Sequence, residues 1–432
     1  MLDGEKWRPV AHHASHAHLI RSDWPENYQR SVSAVVVPAS RPSWNLGPAV
    51  RLAEELGCPL VVACSARAEV GEVALELDRW QGVAFRIGAE PPVAVRRLRT
   101  RQLALETPAD DPRVPRARRE PAGDRTGRAV LTRGLLTRAR AVPDGARSQA
   151  PYVDVSTKRN VALLLARQLG WRRLLFLDDD IQPPPAREIL RASAMLGPSG
   201  ASMASWPAQE FPDNSVVCHA RRVVGLEQGT FLAGGCLLVD LTRTLPYFPG
   251  VYNEDWLFCW EAVRDRRMAM PGSVDQIPYN PFDPRRATRE EFGDVLGEGL
   301  FALLHRSPAE VLLGLAGQGP DAGRARLVEP ARYRGYWSQV LAGRHAMLAE
   351  VTGRLEARAA TDPEAAVQLR AVRAGQERLN LITPYELAEF VALWLQDLQT
   401  WRYELAQLHR QETFKGAFNQ LGIDEFQRVG VM

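Results

Sequence analysis

Three adjacent carboxylates, Asp178, Asp179 and Asp180, close the apolar run Leu174-Leu175-Phe176-Leu177. A run of that length reads as a buried strand. In an open α/β sheet, ligands gather outside the carboxyl ends of the strands. Like charges packed this tightly repel unless a cation or solvent neutralises them. An Asp-x-Asp pair at a strand end offers the hard oxygens that Mg²⁺ and Mn²⁺ prefer, and leaves coordination positions for a phosphate. On this reading Asp180 is the direct ligand. Asp178 holds a metal-bound water or a ribose hydroxyl. The plainer alternative is a solvated strand-to-loop turn, where Asp is common.

Other groups can serve the same chemistry. Lys158, Arg159 and Asn160 lie just before an expected helix, where two cations and a helix N-terminus favour an anion. Tyr252-Asn253-Glu254-Asp255 leads into the apolar segment Trp256-Leu257-Phe258. Its acids suit either a helix N-terminus or a general base whose pKa is raised by aromatic neighbours. Gly234 and Gly235 let backbone approach a ligand closely. His305, ending Phe301-Ala302-Leu303-Leu304, is a candidate third metal ligand, with His219 as a weaker competitor. A histidine on an apolar run is also an ordinary buried residue.

Strands and helices must hold these groups. Ser33–Pro38 reads as a strand, the stretch from Asn45 to Leu56 as a helix capped by Asn45, and Pro59–Cys64 as a second strand. That is a βαβ unit and the start of a parallel sheet. Gly82–Ile87 is a third strand. A helix capped at Thr157 or Asn160 precedes the Asp-bearing strand, and another follows Pro183-Pro184-Pro185. Ala201–Trp206 and Val216–Val224 read as further strands. From about residue 307 the pattern is helical. Leu387, Phe390, Val391, Trp394, Leu398, Trp401 and Leu405 form an apolar stripe on a helix that begins at Pro384. Such a stripe serves as core or as a dimer seam.

This divides the chain into a tail over 1–30, an α/β domain over 31–305 and a helical domain over 306–432. The tail carries His12, His13, His16 and His18, half of the chain's 8 histidines. They could hold zinc or nickel, but nothing nearby frames a site. Residues 93–150 contain 14 arginines against 6 acidic residues. They lack a sustained apolar period and read as a long, mobile basic insertion.

Bulk composition excludes several classes. With 45% hydrophobic and 24% charged residues, the chain has the make-up of an ordinary globular protein. The net charge of +3 is concentrated in the 93–150 segment, so nucleic acid is not an expected partner. No apolar run is long enough to span a bilayer, and the N-terminus lacks a signal-peptide core. Cys58, Cys64, Cys218, Cys236 and Cys259 sit in apolar runs without a CxxC, as expected of buried thiols in the cytoplasm.

Together, the opening strand with Pro38-Ala39-Ser40-Arg41, the Arg159-Asn160 helix, Leu177-Asp178-Asp179-Asp180 and the Gly234-Gly235 to Asn253-Glu254-Asp255 stretch resemble GT-A-fold glycosyltransferases. The likeness is greatest to the large family 2-like group that includes many bacterial inverting enzymes. It covers roughly residues 31–305. The resemblance implies a GT-A-like mixed α/β sheet and a nucleotide-sugar donor held through Mg²⁺ or Mn²⁺ at Asp178 and Asp180. Pro38, Ser40, Arg41, Lys158, Arg159, Asn160, Asp178, Asp179, Gly234 and Gly235 would line the donor, Glu254 or Asp255 would be the base, and His305 would complete the metal shell.

The Cys64-Ser65 strand end lacks the acidic residue that often contacts the nucleobase in relatives. The Gln-x-x-Arg-Trp pattern of processive synthases is absent, so single transfers are expected. The acceptor is not legible, and a homodimer through the helical domain is conceivable. Nucleotidyl transfer is a second enzymatic reading. It is disfavoured because Arg41-Pro42-Ser43-Trp44-Asn45-Leu46 is no phosphate loop. A catalytically silent binding scaffold is the third.

Overall fold

The computed structural model describes residues 31–77, 80–106, 151–197, 200–209, 215–229, 232–243, 245–305 and 329–430. β1 (Ala34–Val37), β2 (Leu60–Cys64), β3 (Gly82–Arg86) and β4 (Arg173–Leu177) run parallel at the centre of the main sheet. Apolar, β-branched runs buried on both faces are what a parallel sheet requires. α1 (Gly47–Leu56) and α2 (Val70–Glu76) make the first crossovers. The chain lays β2 and β3 on one side of β1, then returns to place β4 on the other. Val36 is in register with both Val61 and Phe176. The carboxyl ends of β1 and β4 therefore lie side by side where the strand order reverses. That switch point is where an open α/β sheet parts to admit a ligand.

β7 (Cys236–Asp240) pairs antiparallel with β4, and β6 (Met203–Ser205) pairs antiparallel with β7. β8 (Met268–Ala269) closes that edge. A separate ribbon joins β5 (Ile181–Gln182) to β9 (Asp275–Gln276). At the other edge β10 (Glu425–Val429), near the end of the chain, pairs antiparallel with β3. The architecture is thus a mixed α/β sheet with flanking helices and a helical C-terminal region.

Alternate strand residues fill two cores. Val35, Val37 and Leu175 pack with Leu52 and, from α6 (Ala186–Met195), Ile189. Val36 and Phe176 pack toward α5 (Pro151–Leu169) and α8 (Glu254–Arg264). This second core continues without a break into α10 (Arg334–Ala359), α11 (Pro363–Leu379), α12 (Pro384–Gln407) and α13 (Phe414–Leu421). The stripe on α12 is core: Trp394 and Trp401 are fully buried within the chain. Its buried residues are therefore taken up by the chain's own core, while Leu405 is half-buried. Pro384 does open the helix, with Thr383 and Glu386 forming a capping box.

Four local expectations need correction. Val216–Val223 is a helix, α7, capped by Ser215; its β-branched residues are helical because tertiary packing overrides a weak propensity. The stretch from residue 93 is not irregular throughout. Val93–Arg96 and Arg99–Glu106 are helices, α3 and α4. The buried carboxylate of Asp397 on α12 accepts from the amides of Arg99 and Thr100, which caps α4 from another element. No local sequence signal announces such a cap. Neither Thr157 nor Asn160 starts a helix, because α5 begins at Pro151. Asn45 lies within a short 3-10 turn that precedes α1 rather than capping it. The N-terminal histidines and residues 107–150 lie outside the described residues.

Candidate active site

The last turn of β4 and the loop after β1 meet at the switch point. Asp179 accepts from the amides of Ser40 and Arg41, both at 3.0 Å, and from the Arg41 guanidinium. It therefore pins the β1 loop in place. Asp180 accepts from Arg41 Nη2 at 2.9 Å and from Gln276 Nε2 at 3.1 Å. The Arg41 side chain is 39% exposed, so a ligand can draw it away from these carboxylates without disturbing core packing.

Asp178 faces another cation. Both of its oxygens accept from Arg159 Nη2, at 2.8 and 3.0 Å. The same guanidinium donates through Nη1 to Glu254 Oε1 at 2.8 Å and through Nη2 to the Gly234 carbonyl at 3.3 Å. It also sits 5.4 Å from the centre of the Phe248 ring, within cation–π range. Burial opposes its charge, but Asp178, Glu254 and Asp255 outweigh burial and raise its pKa. A planar guanidinium spreads its donors in a fixed fork, which suits two carboxylates and a carbonyl arranged around it better than the point charge of an ammonium does. Arg159 thus ties together the end of β4, the glycine turn and the start of α8.

α8 begins abruptly. Asn253 adopts a left-handed conformation, φ +63°, which Asn tolerates better than most residues. Glu254 and Asp255 are the first two helical residues. Asp255 Oδ2 accepts from the Gly234 amide at 2.6 Å, and its Oδ1 accepts from the Trp256 amide. Glu254 is buried, while Asp255 is half-buried. Burial pushes Glu254 up to about 8; the charge of Asp255 adds to this and Arg159 opposes it. Asp255 is raised too, by burial, against Arg159 and its two amide donors.

Gly234 is required by space. A Cβ there would lie 2.6 Å from Asp255 Cβ and 2.9 Å from Arg159 Nη1. Gly234→Ala should therefore displace Asp255 and lower any turnover at this site by about 10²-fold, the order expected of an ångström-scale misplacement. Stability should fall by only about 1–3 kcal/mol, as for overpacking. Steady-state kinetics alongside urea unfolding would check this, and an unaltered rate would refute it.

Several sequence candidates have other duties. Lys158 and Asn160 lie within α5, not before its N-terminus, so the expected dipole-assisted anion site does not exist there. Lys158 Nζ is buried and donates to the Ala39 carbonyl and the Ser65 hydroxyl, and pairs with Asp154 at 2.8 Å. It clamps the ends of β1 and β2. Asn160 exchanges two hydrogen bonds with the Phe248 backbone, both 2.8 Å. It fixes the loop leading towards α8. Pro38 is buried. His219 packs edge-on against Tyr279 and Phe282. His305 ends a 3-10 turn after α9 (Pro284–Ala302), and its side chain lies outside the description. Gln276, Asp154 and Phe248 were not foreseen; each depends on contacts with distant residues that leave no local pattern.

No family model matches the chain, and no curated protein matches it. Among solved structures it is similar to a mannosyltransferase from Pyrobaculum calidifontis, solved with GDP-Man and Mn²⁺. That match has 12% identity and a TM-score of 0.38, and covers 91% of this chain and 92% of the other. A likeness this slight carries no weight, so the functional reading stands on the residues above.

Carboxylate oxygens are the donors a hard divalent cation prefers, but among the described residues the only three acidic, histidine or cysteine side chains with ligand atoms within 4.8 Å of one another are Cys218, Asp294 and Glu298. Asp178 and Asp180 present carboxylate oxygens on either side of Asp179, which is committed to the β1 loop. The positive charge now facing them comes from Arg159 and Arg41. Of the two, Arg41 is the exposed one and the one able to yield its place.

Proposed function

We propose that this protein is a glycosyltransferase that moves a sugar from a nucleotide-sugar donor to an acceptor hydroxyl. The observation that carries the reading is the meeting, at the sheet's switch point, of the strand-end carboxylates with the acidic start of α8 across the Arg159 fork. One side suits an anionic diphosphate with its counter-ion. The other side offers a half-buried carboxylate as base.

In this reading Asp178 and Asp180 hold Mg²⁺ or Mn²⁺, which would neutralise charge on the departing nucleoside diphosphate. Ser40 and Arg41 lie beside the donor, and Arg41 leaves the aspartates to meet its phosphates. Gly234 and Gly235 keep the wall thin where the sugar sits. Asp255 takes the acceptor's proton as its oxygen bonds to the anomeric carbon and the bond from that carbon to the diphosphate breaks. Glu254 is covered by Arg159 and serves to orient it. His305 remains a candidate for the metal shell.

Thermal unfolding with UDP-, GDP- and TDP-linked sugars, each with Mg²⁺ or Mn²⁺, tests the proposal. One donor should stabilise the intact protein in a cation-dependent way. At 100 times its Kd the gain is about 2.7 kcal/mol, and it should vanish in Asp180→Ala. Release of pyrophosphate from a nucleoside triphosphate would instead establish nucleotidyl transfer. Absence of any cation-dependent effect would favour a silent scaffold.

A further inference from the structure

A second cluster of buried charge lies behind the site. Helix α9 carries Glu290, Glu291, Asp294 and Glu298, all buried. Arg286 pairs with Glu290 at 2.7 Å. Arg344, fully buried on α10, donates to Glu291 through two nitrogens at 2.8 Å, to Asp294 at 2.7 Å and to Glu298 at 3.1 Å. The Cys218 thiol and the carboxylates of Asp294 and Glu298 lie within 4.8 Å of one another, but Arg344 already supplies the cation there. Burial lifts Glu291 to about 7, against the opposing charge of Arg344.

Three carboxylates around one guanidinium are not an economical way to stabilise a helix pair, since apolar residues often do as well or better. What apolar residues could not do is direct an oxygen outward. Asp294 Oδ1 accepts from Asn253 Nδ2 at 3.2 Å. Asn253 also donates weakly to the Gly293 carbonyl at 3.4 Å. At Gly293 the helix meets the turn so closely that a Cβ would lie 2.1 Å from the Tyr252 carbonyl oxygen. Asn253 is the left-handed residue from which α8 springs.

We infer that Arg344 and Asp294 are positioning residues: through the Asn253 side chain they set the first turn of α8, and with it Asp255 and Glu254. The C-terminal helical region is then part of the site's support, since α10 supplies the anchoring cation. The placement of the turn stands on geometry alone; its consequence for turnover rests on the glycosyltransferase reading.

Asp294→Ala cuts the link, along with a hydrogen bond to Ser215 at the start of α7. Arg344 keeps Glu291 and Glu298, so no buried cation is orphaned. Amide hydrogen exchange over residues 254–258 should accelerate about tenfold or more relative to the rest of α8, as local opening becomes easier. Turnover of the donor found by the thermal screen should fall at least about tenfold, with the Mn²⁺-dependent affinity for the matching nucleoside diphosphate within about twofold of the parent.

Should Asp294→Ala fail to fold, Asn253→Gly serves instead. It keeps the positive φ at little steric penalty and removes only the amide, and the same split between turnover and affinity is expected. Unchanged exchange, or turnover that falls in step with nucleotide affinity, would overturn the inference. If the parent protein binds no nucleotide, the proposed function fails, while the exchange measurement still judges the link.

Discussion

Replacing Arg159 with alanine should abolish turnover and, at a pH where Glu254 is ionised, destabilise the fold by about 3–5 kcal/mol, the penalty for stripping a buried carboxylate of its partner. The loss is large because one guanidinium serves three elements. Without it Glu254 is left buried beside Asp255, Asp178 loses the donor to both oxygens, and the Gly234 carbonyl loses a contact. Arg159→Lys should rescue little, since the shorter reach and point charge of an ammonium do not reproduce the separate Nη1 and Nη2 donors that serve Glu254 and Asp178. Arg159→Met combined with Glu254→Gln should regain part of the stability, because the orphaned charge goes too, but none of the turnover. Urea unfolding of the single and double variants gives the coupling directly. An additive cycle would show that the two side chains do not act together.

The second large effect is expected at Asp255. Asp255→Asn should cut turnover by about 10²–10⁴-fold, the range ascribed to a positioned general base. Donor binding with Mn²⁺, read by calorimetry, should hardly change. If both fall together, Asp255 acts in binding and another group takes the proton.

Glu254 has a different signature. Its folded-state pKa is raised above the ordinary carboxyl value of 4.5, to about 8, chiefly by burial. The folded state therefore holds this proton more tightly than the unfolded chain does. This contribution to stability is complete below pH 4.5 and is lost as pH rises towards 8. Glu254→Gln should flatten that decline. Denaturant titrations at pH 5 and pH 8 on both proteins would reveal it, and parallel pH trends would rule it out. The rate profile should also rise with pH through a raised carboxyl pKa, since Asp255 must be ionised to accept a proton.

Much of the fold was legible because it rests on local pattern. The apolar runs at 34–37, 60–64 and 174–177, bounded by turn residues, fit strands of a doubly covered sheet, and the intervening amphipathic segment supplies the crossover. That alone places Pro38–Arg41 and Asp178–Asp180 at strand ends. Val216–Val223 was misread because a short β-branched run looks alike in strand and helix, and packing decides between them. Helices α3 and α4 were hidden because the carboxylate that caps α4 lies at Asp397, far along the chain.

The site divides along the same line. Sequence determined which chemistry was on hand: acids at a strand end, acids at a helix start, glycines between them and a basic pair upstream. Those are matters of residue type and short spacing. Only the tertiary structure decided which cation meets which carboxylate. Lys158 and Arg159 are neighbours on α5, yet Lys158 clamps β1 to β2 while Arg159 joins β4 to α8. Successive residues on a helix point about 100° apart, so adjacent cations reach different strands. The partners are set by which elements pack against each face, and that is a long-range outcome no local pattern encodes.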